Sequence, residues 1–210
     1  TRPGATPISS ELEQERVLPV IEALLRKGIS LSIDTYHPDT MRAASAMGVT
    51  MLNDITGFSA YPESLRIAAD SGRALVLVHS ASMASTSCDE FDGGVAIEIF
   101  DALYQRLQIM EQQGVPRTNI IIDPGLGFEK SQDSNLKVLR WLSLFHGLGC
   151  QVMLGASRKF GHLGKEQSPK DRLGGSIATS LYGAQHGVQL LRVHDVGQIR
   201  QALGVWAAMQ

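Results

Sequence analysis

The chain predicts an α/β fold of the (β/α)8 (TIM) barrel type, and three observations carry that expectation. Six short apolar runs recur along the 210 residues, at 29–34, 49–54, 74–79, 119–123, 151–159 and 188–194. A helical pattern follows each run. Each run also ends in polar or charged residues: Ile33-Asp34-Thr35, Leu52-Asn53-Asp54, Val78-His79-Ser80, Ile122-Asp123-Pro124-Gly125, Ser157-Arg158-Lys159 and Arg192-Val193-His194-Asp195. Strict alternation of strand and helix implies a parallel sheet with right-handed crossovers. Charge gathered at the C-terminal strand ends marks the catalytic face of such a barrel, whose strand bodies stay packed and apolar.

The first helix is expected from the capping box Ser10-Glu11-Leu12-Glu13, with Ser10 as N-cap and Glu13 reaching back. Val17, Ile21, Leu24 and Leu25 form its apolar stripe, and Gly28 stops it. Pro19 should bend it or limit its first turns. A second helix runs over 38–47, with Pro38 in its first turn and Gly48 after it. A third covers 62–70 before Gly72. The longest spans 95–113, with Ile99, Leu103, Leu107 and Met110 at helical spacing. Helices over 136–145, 172–185 and 197–208 complete the alternation. The segment 81–94, rich in Ser, Asp and Gly, predicts a mobile loop. His37, His146, His162 and His186 read as surface or helix residues.

Six strands fall short of eight, and a full barrel usually takes about 250 residues. The opening Thr1-Arg2-Pro3-Gly4-Ala5 is loop-like. Residues 1–210 are therefore expected to form a single, partial barrel domain with strands absent upstream. Net charge is −2, so no global basic field suggests nucleic acid or an anionic membrane. No apolar stretch approaches the roughly 20 residues that span a bilayer. Cys88 and Cys150 lie far apart, which fits free thiols in a reducing cytoplasm.

Asp34, Asn53 and Asp123 close three strands. Two carboxylates and an amide suit a flat, amide-like heterocycle, because carboxylates accept paired N–H donors and Asn both donates and accepts. The plainer reading is that each holds a βα turn. Asp123-Pro124-Gly125-Leu126-Gly127-Phe128 is a glycine-punctuated loop in which backbone can approach a ligand and Phe128 can wall a ring. Arg158 and Lys159 could neutralise an anion or remain a solvated basic pair. Arg192 and His194 share one side of a strand by its period of two, which suits a phosphate or pyrophosphate. His79 is as readily a structural histidine as a ligand contact. No H-E-x-x-H or cysteine cluster indicates zinc, and neither Ser80 nor Ser157 sits in G-x-S-x-G.

Taken in order, Thr1-Arg2-Pro3-Gly4-Ala5, Ile33-Asp34-Thr35, Leu52-Asn53-Asp54-Ile55, Asp123-Pro124-Gly125-Leu126-Gly127-Phe128, Ser157-Arg158-Lys159 and Leu191-Arg192-Val193-His194-Asp195-Val196 resemble the dihydropteroate synthase family. The resemblance implies strands 3–8 of the barrel. It also implies a transferase that condenses 6-hydroxymethyl-7,8-dihydropterin diphosphate with 4-aminobenzoate, giving 7,8-dihydropteroate and pyrophosphate in folate biosynthesis. By the same likeness Asp34, Asn53, Asp123, Phe128, Gly155 and Lys159 bind the pterin. Arg2, Arg192 and His194 bind the pyrophosphate, and Thr1, Pro3 and Arg158 lie near the aminobenzoate. Asp123, Lys159, Arg192 and His194 are the expected catalytic residues. Mg²⁺ is the implied cofactor, its Asn ligand expected upstream of this chain. A cytoplasmic homodimer inhibited by sulfonamides is also implied.

The chain departs from the family at Phe160, where Ser is usual, and at Ser80, where Met is common. Phe160 puts aminobenzoate and sulfonamide affinity in question. Three alternatives compete. A methyltetrahydrofolate methyltransferase-like barrel shares the Asp/Asn/Asp trio but needs no pyrophosphate grip. A non-catalytic pterin-binding homologue would tolerate the missing strands. A generic phosphate-binding isomerase explains neither Asp34 with Asn53 nor Thr1-Arg2-Pro3.

Overall fold

The computed structural model describes residues 6–80, 92–128, 130–160 and 168–210. Thr1, Arg2, Pro3, Cys88, His162 and most of the expected mobile loop lie outside the described residues. Among the described residues six strands alternate with helices. They are α1 Ser10–Leu25, β1 Ser32–Asp34, α2 Pro38–Met47, β2 Met51–Asp54, α3 Ser64–Ser71, β3 Ala74–Val78, α4 Gly94–Gln112, β4 Ile120–Asp123, α5 Gln132–Arg140, β5 Gln151–Leu154, α6 Leu173–Gln185, β6 Leu190–Leu191 and α7 Val196–Ala207. Two compact units divide within α4 and β4: Ala102–Ile121 belongs to the first, with α1 to β3, and Ile122–Gln210 to the second.

In the first unit β1, β2 and β3 pair in parallel, with Ile33 beside Leu52 and Leu52 beside Leu75. Asp34 lies in register with Asn53, so sequence alternation turns both side chains to one side of the sheet. Leu52, Leu75, Val76 and Leu77 are fully buried, as are Met41 and Ala44 of α2. Leu103, Leu107 and Met110 recur every three or four residues on α4 and are equally buried. Each buried Leu, Val or Met side chain contributes roughly 1.5–3 kcal/mol.

The start of α1 differs from the expected capping box. Ser9 is the N-cap, its Oγ accepting the Leu12 N–H at 3.3 Å. Glu13 does not reach back, because its carboxylate accepts the Thr35 hydroxyl at 2.6 Å and ties α1 to the end of β1. The helix runs on through Pro19. α2 follows expectation, with Pro38 in its first turn and Gly48 closing it in the left-handed region. His37, read as a surface or helix residue, is the N-cap of that helix and is buried. Its N–H donates to Thr35 Oγ1, its Nε2 lies 3.1 Å from the Ile8 carbonyl, and its ring lies among Tyr36 and Tyr61.

In the second unit β5 and β6 pair in parallel, with Leu154 beside Leu191. Both strands are shorter than the apolar runs suggested. The Arg192 N–H still donates to the Leu154 carbonyl, but beyond it the backbone turns to side-chain partners instead of a ladder. The helix expected over 136–145 starts earlier, at Gln132, where Ser131 Oγ accepts the Ser134 N–H. It ends at Arg140 and gives way to a 3-10 segment, Leu142–Leu148.

α6 lies very close to β5. A Cβ on Gly183 would stand 2.8 Å from Leu154 Cδ2, and one on Gly175 would stand 2.1 Å from the Phe160 carbonyl oxygen. The first neighbour is a side-chain tip that can rotate; the second is backbone and cannot. Gly175→Ala should therefore lower stability by about 1–3 kcal/mol, the usual cost of overpacking. Urea unfolding of the two proteins checks this, and a Gly174→Ala control, which meets nothing within 4 Å, should change little.

Candidate active site

At the end of β2, Asn53 and Asp54 face different tasks. Asn53 is 7% exposed, and its Oδ1 has no hydrogen-bond partner among the described residues. A buried amide oxygen left without a donor costs roughly 1–3 kcal/mol, so this atom is open to a partner from outside the described residues. Its neighbour Asp34 is half-buried. Asp54 instead organises the loop that follows. Its Oδ1 accepts the Thr56 N–H and hydroxyl, both at 2.8 Å, and its Oδ2 accepts the Phe58 N–H at 3.1 Å. Phe58 is held at φ 61°, an uncommon conformation for a bulky residue, and is buried. Arg106 donates to the carbonyls of Gly57 and Phe58 and pins the loop from outside. Burial pushes the Asp54 carboxyl up to about 6, against the pull of its three donors and helped by the nearby Asp34 charge.

In the second unit Asp123 is 5% exposed. Its Oδ1 accepts the Gly125 N–H at 2.8 Å, and its Oδ2 lies so close to Gly155 that a Cβ there would stand 3.3 Å away. Burial raises the Asp123 pKa, while the Gly125 N–H and the charges of Lys159, Lys130 and Arg192 oppose that rise. Lys159 is threaded across the 123–128 loop. Its stem lies over Gly127, where a Cβ would stand 2.7 Å from Cδ, and its ammonium donates to the Leu126 carbonyl. The same ammonium sits 4.6 Å from the Phe128 ring centroid, a cation–π distance. Gly127 has φ 77°, so both its conformation and the space above it demand glycine.

The Ser-Arg-Lys turn meets the segment after β6 at two consecutive residues. Ser157 Oγ accepts the His194 N–H at 3.1 Å and lies 3.1 Å from His194 Nδ1. Arg158 grips Asp195 bidentately, Nε to Oδ2 at 3.0 Å and an Nη to Oδ1 at 2.7 Å. This pair lowers the Asp195 pKa. Arg158 stands at φ 60°, its N–H donating to Ser176 Oγ and its carbonyl accepting from Arg172.

Of the residues expected in the site, Asp34 and Asn53 are register neighbours in the first unit. Asp123, Gly155, Phe128 and Lys159 come together in the second, with Arg192 in electrostatic range of Asp123. Arg192 and His194 are both exposed. Arg158 spends its guanidinium on Asp195. Thr1, Arg2 and Pro3 lie outside the described residues. Phe160 is buried in the core of the second unit. Sequence reasoning passed over Ser157 and Asp195 as working residues; the equal spacing of Ser157-Arg158 and His194-Asp195 was the available signal.

An α/β scaffold whose strands end in polar residues, with a buried carboxylate closing β4, has the layout of an enzyme. The profile of the family described as "Pterin binding enzyme" matches residues 1–194, and the chain belongs to that family. Dihydropteroate synthase of Bacillus subtilis is 35% identical over all of this chain and 72% of its own length. A probable bifunctional folylpolyglutamate synthase/dihydropteroate synthase of Haloferax volcanii is 36% identical over 98% of this chain, which spans 24% of that longer protein. The solved structure of Xanthomonas albilineans dihydropteroate synthase with 4-aminobenzoic acid superposes with a TM-score of 0.92 at 40% identity, covering 100% of this chain and 76% of that one.

The raised Asp54 pKa has a consequence for stability. Between its ordinary 3.8 and about 6, the folded chain holds the proton that the unfolded chain has released. Stability should thus fall as pH rises through that window, by at most about 1.4 kcal/mol per pH unit from this group. Asp54→Asn should remove that part of the slope, which urea midpoints measured at intervals from pH 4 to about 6.5 would reveal.

Proposed function

We propose that the chain carries the pterin-binding and leaving-group machinery of a dihydropteroate synthase. In this reading 6-hydroxymethyl-7,8-dihydropterin diphosphate and 4-aminobenzoate give 7,8-dihydropteroate and pyrophosphate. The observation that carries it is the buried Asp123 carboxylate beside Gly155 and Lys159. A 2-amino-pyrimidinone edge offers adjacent N–H donors that a carboxylate accepts in pairs. A backbone without a side chain at Gly155 leaves room for a flat ring against it. Asp34, Asn53, Asp123, Phe128, Gly155 and Lys159 then hold the pterin, and the Asn53 Oδ1, without a partner among the described residues, accepts from it. The six strands correspond to strands 3–8 of the family barrel. The protein acts in the cytoplasm as a homodimer, and sulfonamides compete for the aminobenzoate site, where Thr1, Pro3 and Arg158 contribute.

The chemistry is a substitution at the CH₂ on the pterin ring. The C–O bond to the diphosphate breaks, the C–N bond to the aniline nitrogen forms, and the amine proton leaves to solvent. As the C–O bond breaks, positive charge spreads into the ring, and the Asp123 carboxylate stabilises it there. Arg192 and His194, with Arg2, neutralise the departing pyrophosphate. No protein base is needed, since an aniline is a sufficient nucleophile towards such a carbon. Mg²⁺ would neutralise further diphosphate charge. Among the described residues no group of three or more His, Cys, Asp or Glu side chains is placed to hold a metal ion.

Two substitutions test this. Asp123→Asn should lower kcat by about a hundredfold or more with a smaller rise in pterin KM, the pattern for a group acting mainly in the transition state. An unchanged kcat, in steady-state assays, refutes the role. Arg192→Ala should weaken the pterin diphosphate by about tenfold or more, as expected for a charge-assisted contact, and leave the diphosphate-free pterin alcohol nearly unaffected. Calorimetry with both ligands decides; equal losses would assign Arg192 to the ring or to the fold.

A further inference from the structure

We propose that Ser157 is a positioning residue that fixes the tautomer and direction of the His194 imidazole, so that Nε2–H faces outward as a donor to the diphosphate. This rests on the assignment of His194 to the leaving group and adds what prepares it. Ser157 is buried, and its hydroxyl has one hydrogen and two lone pairs. One lone pair accepts the His194 backbone N–H at 3.1 Å, a bond whose direction is not in question. The hydroxyl hydrogen then needs an acceptor. Among the described residues that acceptor is His194 Nδ1, at 3.1 Å from the same oxygen.

A neutral imidazole whose Nδ1 accepts carries its hydrogen on Nε2. A protonated imidazole also carries one there, with Nδ1–H donating to the second lone pair of Oγ. Both states therefore present Nε2–H on the ring edge turned away from Ser157, as a diphosphate oxygen requires. The neutral tautomer with hydrogen on Nδ1 alone would present a lone pair to an anion and would strand the buried Ser157 hydrogen. The neighbouring Arg158–Asp195 pair holds the backbone of the same two segments together, so the serine and the histidine meet in a defined register. Alternation along a strand cannot produce this arrangement, since it fixes only the side on which His194 emerges.

The test uses this chain, inorganic pyrophosphate as the probe, and three variants: Ser157→Ala, Ser157→Thr and His194→Ala. Two readouts are taken. Nitrogen chemical shifts of the His194 ring, in ¹⁵N-histidine-labelled protein at a pH where the ring is neutral, report the tautomer. Titration calorimetry reports pyrophosphate affinity. The native chain should show hydrogen on Nε2. Ser157→Ala should give mixed tautomers and about three- to tenfold weaker pyrophosphate, the size of one hydrogen bond. Ser157→Thr, which keeps the hydroxyl, should restore both. A native ring with hydrogen on Nδ1, or an alanine variant with unchanged ring shifts and affinity, overturns the proposal. If His194→Ala weakens pyrophosphate and Ser157→Ala does not, the role of Ser157 falls while the diphosphate assignment stands. If His194→Ala changes nothing, the diphosphate assignment itself falls, and this proposal with it.

Discussion

A carboxylate taken out of water must be compensated, and the second unit is arranged around doing so for Asp123. One oxygen is met by the Gly125 N–H, while Lys159, Lys130 and Arg192 supply the field. That arrangement imposes the glycines. Gly127 must be bare for the Lys159 stem to cross the loop, and a side chain at Gly155 would press on the second carboxylate oxygen. Burial still raises the Asp123 pKa, so the compensation is partial. A ligand bringing N–H donors to the second oxygen would complete it. The cost of burying the charge is thereby converted into affinity for one kind of partner.

The first unit solves the same difficulty inside the chain. Asp54 is saturated by Thr56 and Phe58, and Arg106 closes the loop by holding two carbonyls. Next to it in sequence, the Asn53 Oδ1 has no partner among the described residues. Alternation along β2 turns one residue towards loop architecture and its neighbour towards the sheet face shared with Asp34. The residue that builds the loop and the residue that faces Asp34 are thus separated by one position and one half-period of the strand.

Local signals were legible where they act locally. Pro38 and Gly48 bracket α2 because a helix start and stop depend on a few adjacent residues. The α4 stripe was equally plain, since burial every three or four residues is written directly into Ile99, Leu103, Leu107 and Met110. Strand ends were overread: charged residues can continue an alternating pattern after pairing has stopped, as at Ser157 and His194. Glu13 was misassigned because Thr35, 22 residues away, competes for its carboxylate. The burial of His37, read as a surface or helix residue, was missed because nothing nearby in sequence announces the Ile8 carbonyl beside its ring. The Lys159 path over Gly127 was invisible for the same reason, as it depends on proximity between residues far apart in sequence.

Arg158 makes two demands that no single residue satisfies comfortably. Its backbone sits at φ 60°, where glycine or asparagine would be at ease, while its side chain must deliver a planar fork to Asp195. Replacement by glycine would relax the main chain and abandon the fork. Lysine would retain the conformational discomfort and offer a single ammonium in place of two parallel donors. Every route away from arginine by one substitution therefore loses on one count or the other, and Asp195 cannot drift independently. Residues 158 and 195 therefore act as one unit: changing either alone gives up the paired hydrogen bonds that tie the Ser-Arg-Lys turn to the segment carrying His194.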